Sequence, residues 1–466
     1  MAADRKVWRN QSPGDLSVEM PEVCASEAEP ALAAAQAAAK SWARTPLGER
    51  IARLRDAQKH LATNRDSLAH GIALEVGKPI TEAQGELGAV IAKIDLTVGD
   101  AEQHLAPQEE KSGPHPAMVR HIARGPAVVI APFNFPLHLG NGAIVAYLLA
   151  GNPVIFKPSP LAAVVAAKYA ELMASVLPRG VFNLVQGGGG VAQQLCRDPR
   201  VRSICFTGSV AVGRALAVEL AGDLSKDVAL ELGGKNAAIV CADADLQLSA
   251  ESAAQGACLT SGQRCNATSR VIVEQAVAAE FRERFLAALR QYEPGDPLRP
   301  ETRFGPLVNQ AAVDRYAKII SDQSAEWILP GKVEPEIAGK RGCYVRPALL
   351  RQRAEDAAHE EEAFVPIVSM YEAADLEEAV RIHNAPPYGM TASIFTRSRE
   401  RFWQVADELC AGNLYANLPT TFSPSTLPFG GLGMSGNHHP GGRGFIRFAT
   451  DEQAVQMAAG GFSEPD

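Results

Sequence analysis

No two of the eight cysteines (24, 196, 205, 241, 258, 265, 343 and 410) are spaced as CxxC. Zinc ribbons and thioredoxin-like redox pairs need that spacing, so neither a metal site nor a dithiol centre is expected. Residues 1–10 are charged and lead into no apolar core, so no secretion signal is read there. In a chain this long without such a signal, free thiols in a reducing cytoplasm are expected rather than disulfides. Long hydrophobic runs are missing too. Stretches such as 143–150 fall far short of the roughly 20 residues that span a bilayer. There is no excess of positive charge: 45 Lys and Arg stand against 53 Asp and Glu, a net charge of −8. A polyanion is therefore a poor partner, and nucleic-acid binding is disfavoured. The GxGxxG fingerprint of many dinucleotide sites is absent as well. No internal repeat appears, and the biased tracts are an Ala-rich start and a Gly/Ser/Pro-rich tail.

What remains is an ordinary globular balance, 46% apolar and 21% charged, over 466 residues. That length is too great for one hydrophobic core, so two or more domains are expected. Residues 28–64 read as one helix, with Ile51, Leu54 and Leu61 near helical spacing, and another helix follows Pro79. From Ala127 the chain alternates. Short apolar runs at 127–131, 153–156, 181–185, 203–206 and up to Glu231 are separated by helical stretches at 141–150, 162–176 and 210–220. Strands of this kind, buried on both faces, indicate a parallel doubly wound sheet over 120–234. The alternation resumes from 235 to about 430 as a second α/β domain.

Two short segments carry the chemistry. Leu230-Glu231-Leu232-Gly233-Gly234-Lys235 places a lone carboxylate at the end of an apolar run. Ser261-Gly262-Gln263-Arg264-Cys265 places a thiol on a glycine-containing loop. A thiol that attacks carbon and a carboxylate that later activates water are what oxidation of an aldehyde through a thioester requires. Taken singly, the Cys is as readily an inert core thiol and the Glu a solvated one. Asn134, between two prolines in Pro132-Phe133-Asn134-Phe135-Pro136, suits donation to a developing alkoxide, or simply forms a turn. Phe206-Thr207-Gly208-Ser209, with Gly213 one turn on, joins a strand to a helix whose N-terminus suits a pyrophosphate. Ser209 serves there equally as an N-cap. Lys157, in Phe156-Lys157-Pro158-Ser159, lies at a strand C-terminal end, where open α/β sheets bind ligands.

Together these segments, with Glu361-Glu362-Ala363-Phe364 and Pro428-Phe429-Gly430-Gly431, resemble the aldehyde dehydrogenase superfamily from about residue 30 to 440. The resemblance implies a Rossmann-like cofactor domain (1–106 and 122–234), an α/β catalytic domain (235–435) and a small β oligomerisation arm (107–121 and 444–458). It implies Cys265 as nucleophile, Glu231 as general base, and Asn134 with the Cys265 backbone N–H as oxyanion donors. Lys157, Ser159, Phe206, Gly208, Ser209, Gly213, Leu232, Glu362 and Phe364 would hold the cofactor. Phe135, Arg264 and Phe429 would contact the aldehyde.

A narrower resemblance, to N-succinylglutamate 5-semialdehyde dehydrogenases, rests on Asn417-Leu418-Pro419-Thr420-Thr421 and on the run from Leu427 to Ser435-Gly436-Asn437-His438. Asn437 and His438 are expected to offer donors to a carboxylate-bearing substrate tail, or else only to shape the loop before Pro440. The chain departs from that group at Pro160, Val365 and His439, and its N-terminal segment lacks a clear first hairpin. A carboxylate in place of Pro160 would repel a 2′-phosphate, so NAD is the expected cofactor with NADP not excluded. The alternatives are a dehydrogenase for succinate or glutamate semialdehyde, and a catalytically silent paralogue of the same fold. The segments holding Val119, His121 and Ile122, and Phe445, Ile446 and Phe448, are expected to put apolar side chains outside both cores. They would serve a homodimer or a dimer of dimers in the cytoplasm.

Overall fold

The structure, a computed structural model, describes residues 7–112, 115–359 and 361–458. Among them two parallel-type sheets dominate. The first has five strands in the order Asp227–Glu231, Ser203–Thr207, Ala127–Ile130, Val154–Lys157 and Phe182–Leu184, all paired in parallel. Each inner strand is buried throughout, and apolar apart from Lys157, Ser203 and Thr207 at strand ends, because helices cover the sheet above and below. Those helices are α1 (Ala28–Arg44), α2 (Leu47–Thr63), α3 (Arg65–Val76), α4 (Ile80–His104), α5 (His138–Leu149), α6 (Ala163–Ala174), α7 (Gly189–Arg197) and α8 (Val210–Leu220). The second sheet has seven strands between Asn236 and Ala416, parallel except for the Glu326–Leu329 edge strand. No helix among the described residues is long and apolar enough to cross a membrane.

The expected helix over 28–64 is two helices. Pro46 has no N–H to donate and drives the preceding Thr45 into extended backbone, φ −63° and ψ 127°. The chain therefore stops at Arg44 and restarts at Leu47. Helix α3, unread in the sequence, follows Asn64 and ends at the left-handed Gly77, φ 75°. The N-terminal segment also contains the hairpin that its sequence was read as lacking. Gln11–Ser12 pairs with Asp15–Glu19 around Pro13-Gly14. It is held from outside: the Tyr344 hydroxyl donates to the Gly14 carbonyl at 2.8 Å.

Residues 108–112, 115–123 and 450–456 form a separate three-stranded antiparallel sheet with the 115–123 strand in the centre. Phe445 and Ile446, expected outside the cores, are buried in the main one. Gly444, at φ 92°, turns the chain inward, and Phe445 meets Tyr147 of α5 edge-to-face at 5.6 Å. This segment belongs to the main core, and the strand of the three-stranded sheet begins at Thr450.

Candidate active site

The thiol-bearing loop follows the helix Leu246–Cys258 and is bent sharply. Thr260, Ser261 and Gly262 all adopt left-handed backbone, at φ 51°, 56° and 73°. Two of these are not glycine, a strained arrangement that survives only when surrounding contacts over-determine it. Those contacts are present. Glu82 of α4 accepts from both the backbone and the hydroxyl of Thr260. The Ser261 hydroxyl donates to the Gly305 carbonyl at 2.7 Å. Gln263 is tied through its side chain to Thr260 and Val308. A Cβ on Gly262 would press against the Val365–Pro366 backbone at 2.8 Å. The loop thus presents Cys265 in one fixed direction.

Asn236 donates its side-chain amide to the Cys265 carbonyl at 2.8 Å. The Cys265 N–H has no partner among the described residues. Asn134, 3% exposed, donates one side-chain N–H to the Gln263 carbonyl at 2.9 Å. That bond leaves its second N–H for the cavity it shares with Cys265. A backbone and a side-chain donor beside one thiol form the arrangement expected for an oxyanion. Loss of one such donor typically costs about 3 kcal/mol in the transition state.

Glu231 ends the edge strand of the first sheet. Its Oε1 accepts from the Cys265 thiol at 3.4 Å, and the residue is 2% exposed. Burial pushes its carboxyl up to about 7. Burial, and then the Glu231 charge, push the Cys265 thiol well above its usual value. The strand that carries Glu231 would have a bare edge, but Ser435, Gly436 and Asn437 pair with it. Leu232 N–H donates to Ser435 O at 2.9 Å, and Asn437 N–H to Leu230 O at 3.0 Å. Asn437 Oδ1 accepts from Leu230 N–H at 2.7 Å. Gly436, at φ 139°, lies where a Cβ would overlap the Leu230 carbonyl.

Cys265 lies between two cavities and lines both. The larger, about 420 Å³, opens at the C-terminal ends of the first sheet. Lys157, Ser159, Pro160, Phe206, Gly208, Ser209, Leu232, Glu362 and Phe364 line it with Asn134 and Arg315. Ser209 also N-caps α8, accepting from Val212 N–H at 3.4 Å, while it faces the cavity. Glu362 Oε1 accepts from Gly234 N–H at 3.1 Å, and burial pushes its carboxyl up to about 7. Burial lowers Lys157 to about 8. Gly213 does not line the cavity. A Cβ there would overlap Leu232, so its part is to let α8 close onto that wall.

The donor set fits a dinucleotide. The α8 N-terminus and Gly208 suit phosphate, Lys157 and Glu362 suit ribose oxygens, and Phe364 and Leu232 form an apolar wall. Arg315 was missed in the sequence, since nothing at its position distinguishes it from a solvated helix charge.

The second cavity, about 310 Å³, is lined by Glu82, Gly85, Glu86, Ala89 and Lys93 of α4, by Phe135, His138, Leu139 and Gly142, and by Arg264, Ser423, Ser425, Phe429 and Gly442. Phe135, Arg264 and Phe429, expected to contact the aldehyde, all line this cavity. Arg264, however, is spoken for: Glu82 pairs with it at 2.7 Å and Thr260 accepts from it. Its guanidinium and the Lys78 ammonium lie against the Phe135 ring at 4.8 and 3.7 Å.

Asn437 and His438 do not line this cavity. Asn437 is consumed in pairing with the Glu231 strand, and the His438 ring packs on Phe448 at 4.7 Å. The left-handed backbone at His438 and His439, φ 55° and 46°, turns their side chains away before Pro440 reaches the cavity. The expected tail contact there is corrected accordingly. Lys93 and His138, on the other hand, were not foreseen.

Known proteins are similar along nearly the whole chain. Residues 4–455 match the aldehyde dehydrogenase family. The chain is 36% identical over 441 residues to an N-succinylglutamate 5-semialdehyde dehydrogenase of Erwinia tasmaniensis, covering 93% of this chain and 88% of that protein. It is 33% identical over 456 residues to a protein of the same description from Cronobacter sakazakii, covering 97% and 90%. The crystal structure of an NAD-dependent aldehyde dehydrogenase from Sinorhizobium meliloti superposes with a TM-score of 0.92 at 30% identity, over 99% of this chain and 93% of that one.

Proposed function

The chain belongs to the aldehyde dehydrogenase family, and from that premise we propose that it oxidises N-succinylglutamate 5-semialdehyde to N-succinylglutamate, with NAD as cofactor, in the cytoplasm. The observation that carries the reaction is the position of Cys265, shared by two cavities and in contact with Glu231. The substrate is drawn from the curated relatives named above.

In this reading the aldehyde enters past Phe135 and Phe429. The Cys265 thiolate attacks the carbonyl carbon, and the π electrons move to oxygen. Asn134 and the Cys265 N–H hold the resulting alkoxide. The cavity lined by Lys157, Ser209, Glu362 and Phe364 would hold a nicotinamide cofactor, which would supply the hydride acceptor. Loss of hydride from carbon leaves a thioester on Cys265. Glu231 takes a proton from water as its oxygen adds to the thioester carbon, and the acid leaves with return of the thiolate.

The only carboxylate lining the cofactor cavity among the described residues is Glu362, and Pro160 lines it where a carboxylate would reject a 2′-phosphate. NADP is therefore expected to work as well, with NAD preferred. Rates for N-succinylglutamate, succinate and glutamate semialdehydes with each cofactor test both parts. A higher kcat/KM for succinate or glutamate semialdehyde would reassign the substrate, and an outright preference for NADP would overturn the cofactor assignment.

The three-stranded sheet supports a proposal about assembly. Its two outer strands, residues 108–112 and 450–456, have no further strand beyond them among the described residues, and strand edges demand cover. A second copy is the proposed cover, giving a homodimer or a dimer of dimers. Light scattering on the full chain is expected to show at least a dimer, and a chain ending at Ala449 a smaller species. A full-length monomer at micromolar concentration would contradict this.

A further inference from the structure

One face of α4 floors the cavity on the substrate side of Cys265. Glu82, Gly85, Glu86, Ala89 and Lys93 all line it, at the spacing of a single helix stripe. The charges on that stripe are not treated alike. Glu82 is paired with Arg264. Glu86 is paired with Lys78 at 2.5 Å and accepts from the backbone N–H groups of Leu137 and His138. Lys93 is 4% exposed and has no ion pair among the described residues. Its ammonium donates to the Gly442 carbonyl. An ammonium has three N–H groups to place, and a buried one also lacks water to share its charge.

No neighbouring carboxylate forms an ion pair with Lys93 among the described residues. Asp100, further along α4, is occupied by the Arg443 side chain at 2.6 Å and the Gly444 N–H at 2.9 Å. Across the cavity on α5, burial drives the His138 imidazole down to about 4, so it is neutral. The α5 residue against the lysine stem is Gly142, where a Cβ would stand 3.2 Å from Lys93 Cε. The absent side chain gives the stem its place beside the cavity. Burial lowers the ammonium itself to about 8, with Asp100 opposing.

We infer that Lys93 is the specificity-determining anchor for the distal carboxylate of an acidic aldehyde held at Cys265. The inference rests on the acidic-semialdehyde reading of the site and names the residue that enforces it. A carboxylate there would complete the hydrogen bonds of the ammonium and neutralise it, while a neutral chain would leave it bare. The α4 stripe then grades from paired charges near Cys265 to one open positive charge.

The test compares kcat/KM for N-succinylglutamate 5-semialdehyde and for hexanal, an uncharged aldehyde. Lys93→Met keeps an unbranched stem and removes the charge. It is expected to lower the ratio of the two efficiencies by about ten- to a hundredfold, the worth of a charge-assisted bond, with the loss carried by KM. Lys93→Arg keeps the charge and is expected to retain most of the ratio. In the unaltered enzyme the ratio should fall as pH rises through about 8, where the ammonium loses its proton, and Lys93→Met should lack that fall. Equal losses on both aldehydes, or equal losses of the ratio in both variants, would reduce Lys93 to a packing role and overturn the inference. Absence of any preference for the acidic aldehyde in the unaltered enzyme would defeat the substrate reading first, and the anchor with it.

Discussion

Replacing Cys265 by alanine is expected to lower aldehyde oxidation by about 10⁴-fold or more while the protein still binds its cofactor. The size follows from what is removed. A covalent route splits one hard step into two easier ones, and without the nucleophile neither step exists; loss of an essential nucleophile in a well-studied hydrolase costs about 10⁶. No other thiol stands in. Cys258 and Cys205 are buried, with burial pushing both thiols up, and neither lines a cavity that Cys265 shares. Cofactor binding should survive because Lys157, Ser209, Glu362 and Phe364 are untouched. Steady-state formation of reduced cofactor and a fluorescence titration of cofactor binding check the two halves. Turnover near the unaltered rate would remove Cys265 from the mechanism. Loss of cofactor binding as well would make its role structural.

Glu231→Gln is expected to slow steady turnover by about 10² to 10⁴, the range of a general base, and to leave a burst of reduced cofactor in the first turnover. Attack by Cys265 should not suffer. The Glu231 charge is the second cause that raises the thiol, after burial, so removing it favours the thiolate. Hydrolysis of the thioester should suffer, since a glutamine side chain cannot take the proton from water. The pH profile separates the two. With the Glu231 carboxyl pushed up to about 7, the base form is lost as pH falls through 7. Where hydrolysis limits, steady turnover should drop about tenfold per unit below that, and Glu231→Gln should lack this acid limb. Loss of the burst itself would place Glu231 at or before hydride loss.

Much of the site was legible because its parts sit where strands meet loops. Lys157 and Phe206 lie at or near the ends of runs buried on both faces, and Glu231 ends a strand whose last three residues are buried; such runs announce a parallel sheet without any partner in view. Cys265 and Asn134 stand on loops marked by glycine and proline. What failed to read depends on distant packing. Arg264 looked like a free substrate contact, but its counter-charge, Glu82, is 182 residues earlier. Asn437 and His438 follow a cavity-lining motif, yet three turns of unusual backbone, at Gly436, His438 and His439, carry them to the sheet edge and to Phe448. Their pairing gives the Glu231 strand a neighbour, which sequence spacing does not reveal. Lys93 sits on a helix face shared with Glu82 and Glu86, a pattern that reads as solvated until α5 closes over it. Phe445 and Ile446 read as exposed tail residues because only Tyr147 and its neighbours show what they fill.

The oxidised substrate is expected to spend part of each cycle as a thioester on Cys265, released by Glu231. Intact-mass and peptide-mass measurement on Glu231→Gln, quenched in acid during turnover with cofactor and N-succinylglutamate 5-semialdehyde, tests it directly. A mass gain equal to the acyl group is expected, confined to the peptide containing Cys265 and released by hydroxylamine. A variant that turns over slowly with no acyl group on Cys265, or with the group on another residue, would contradict it.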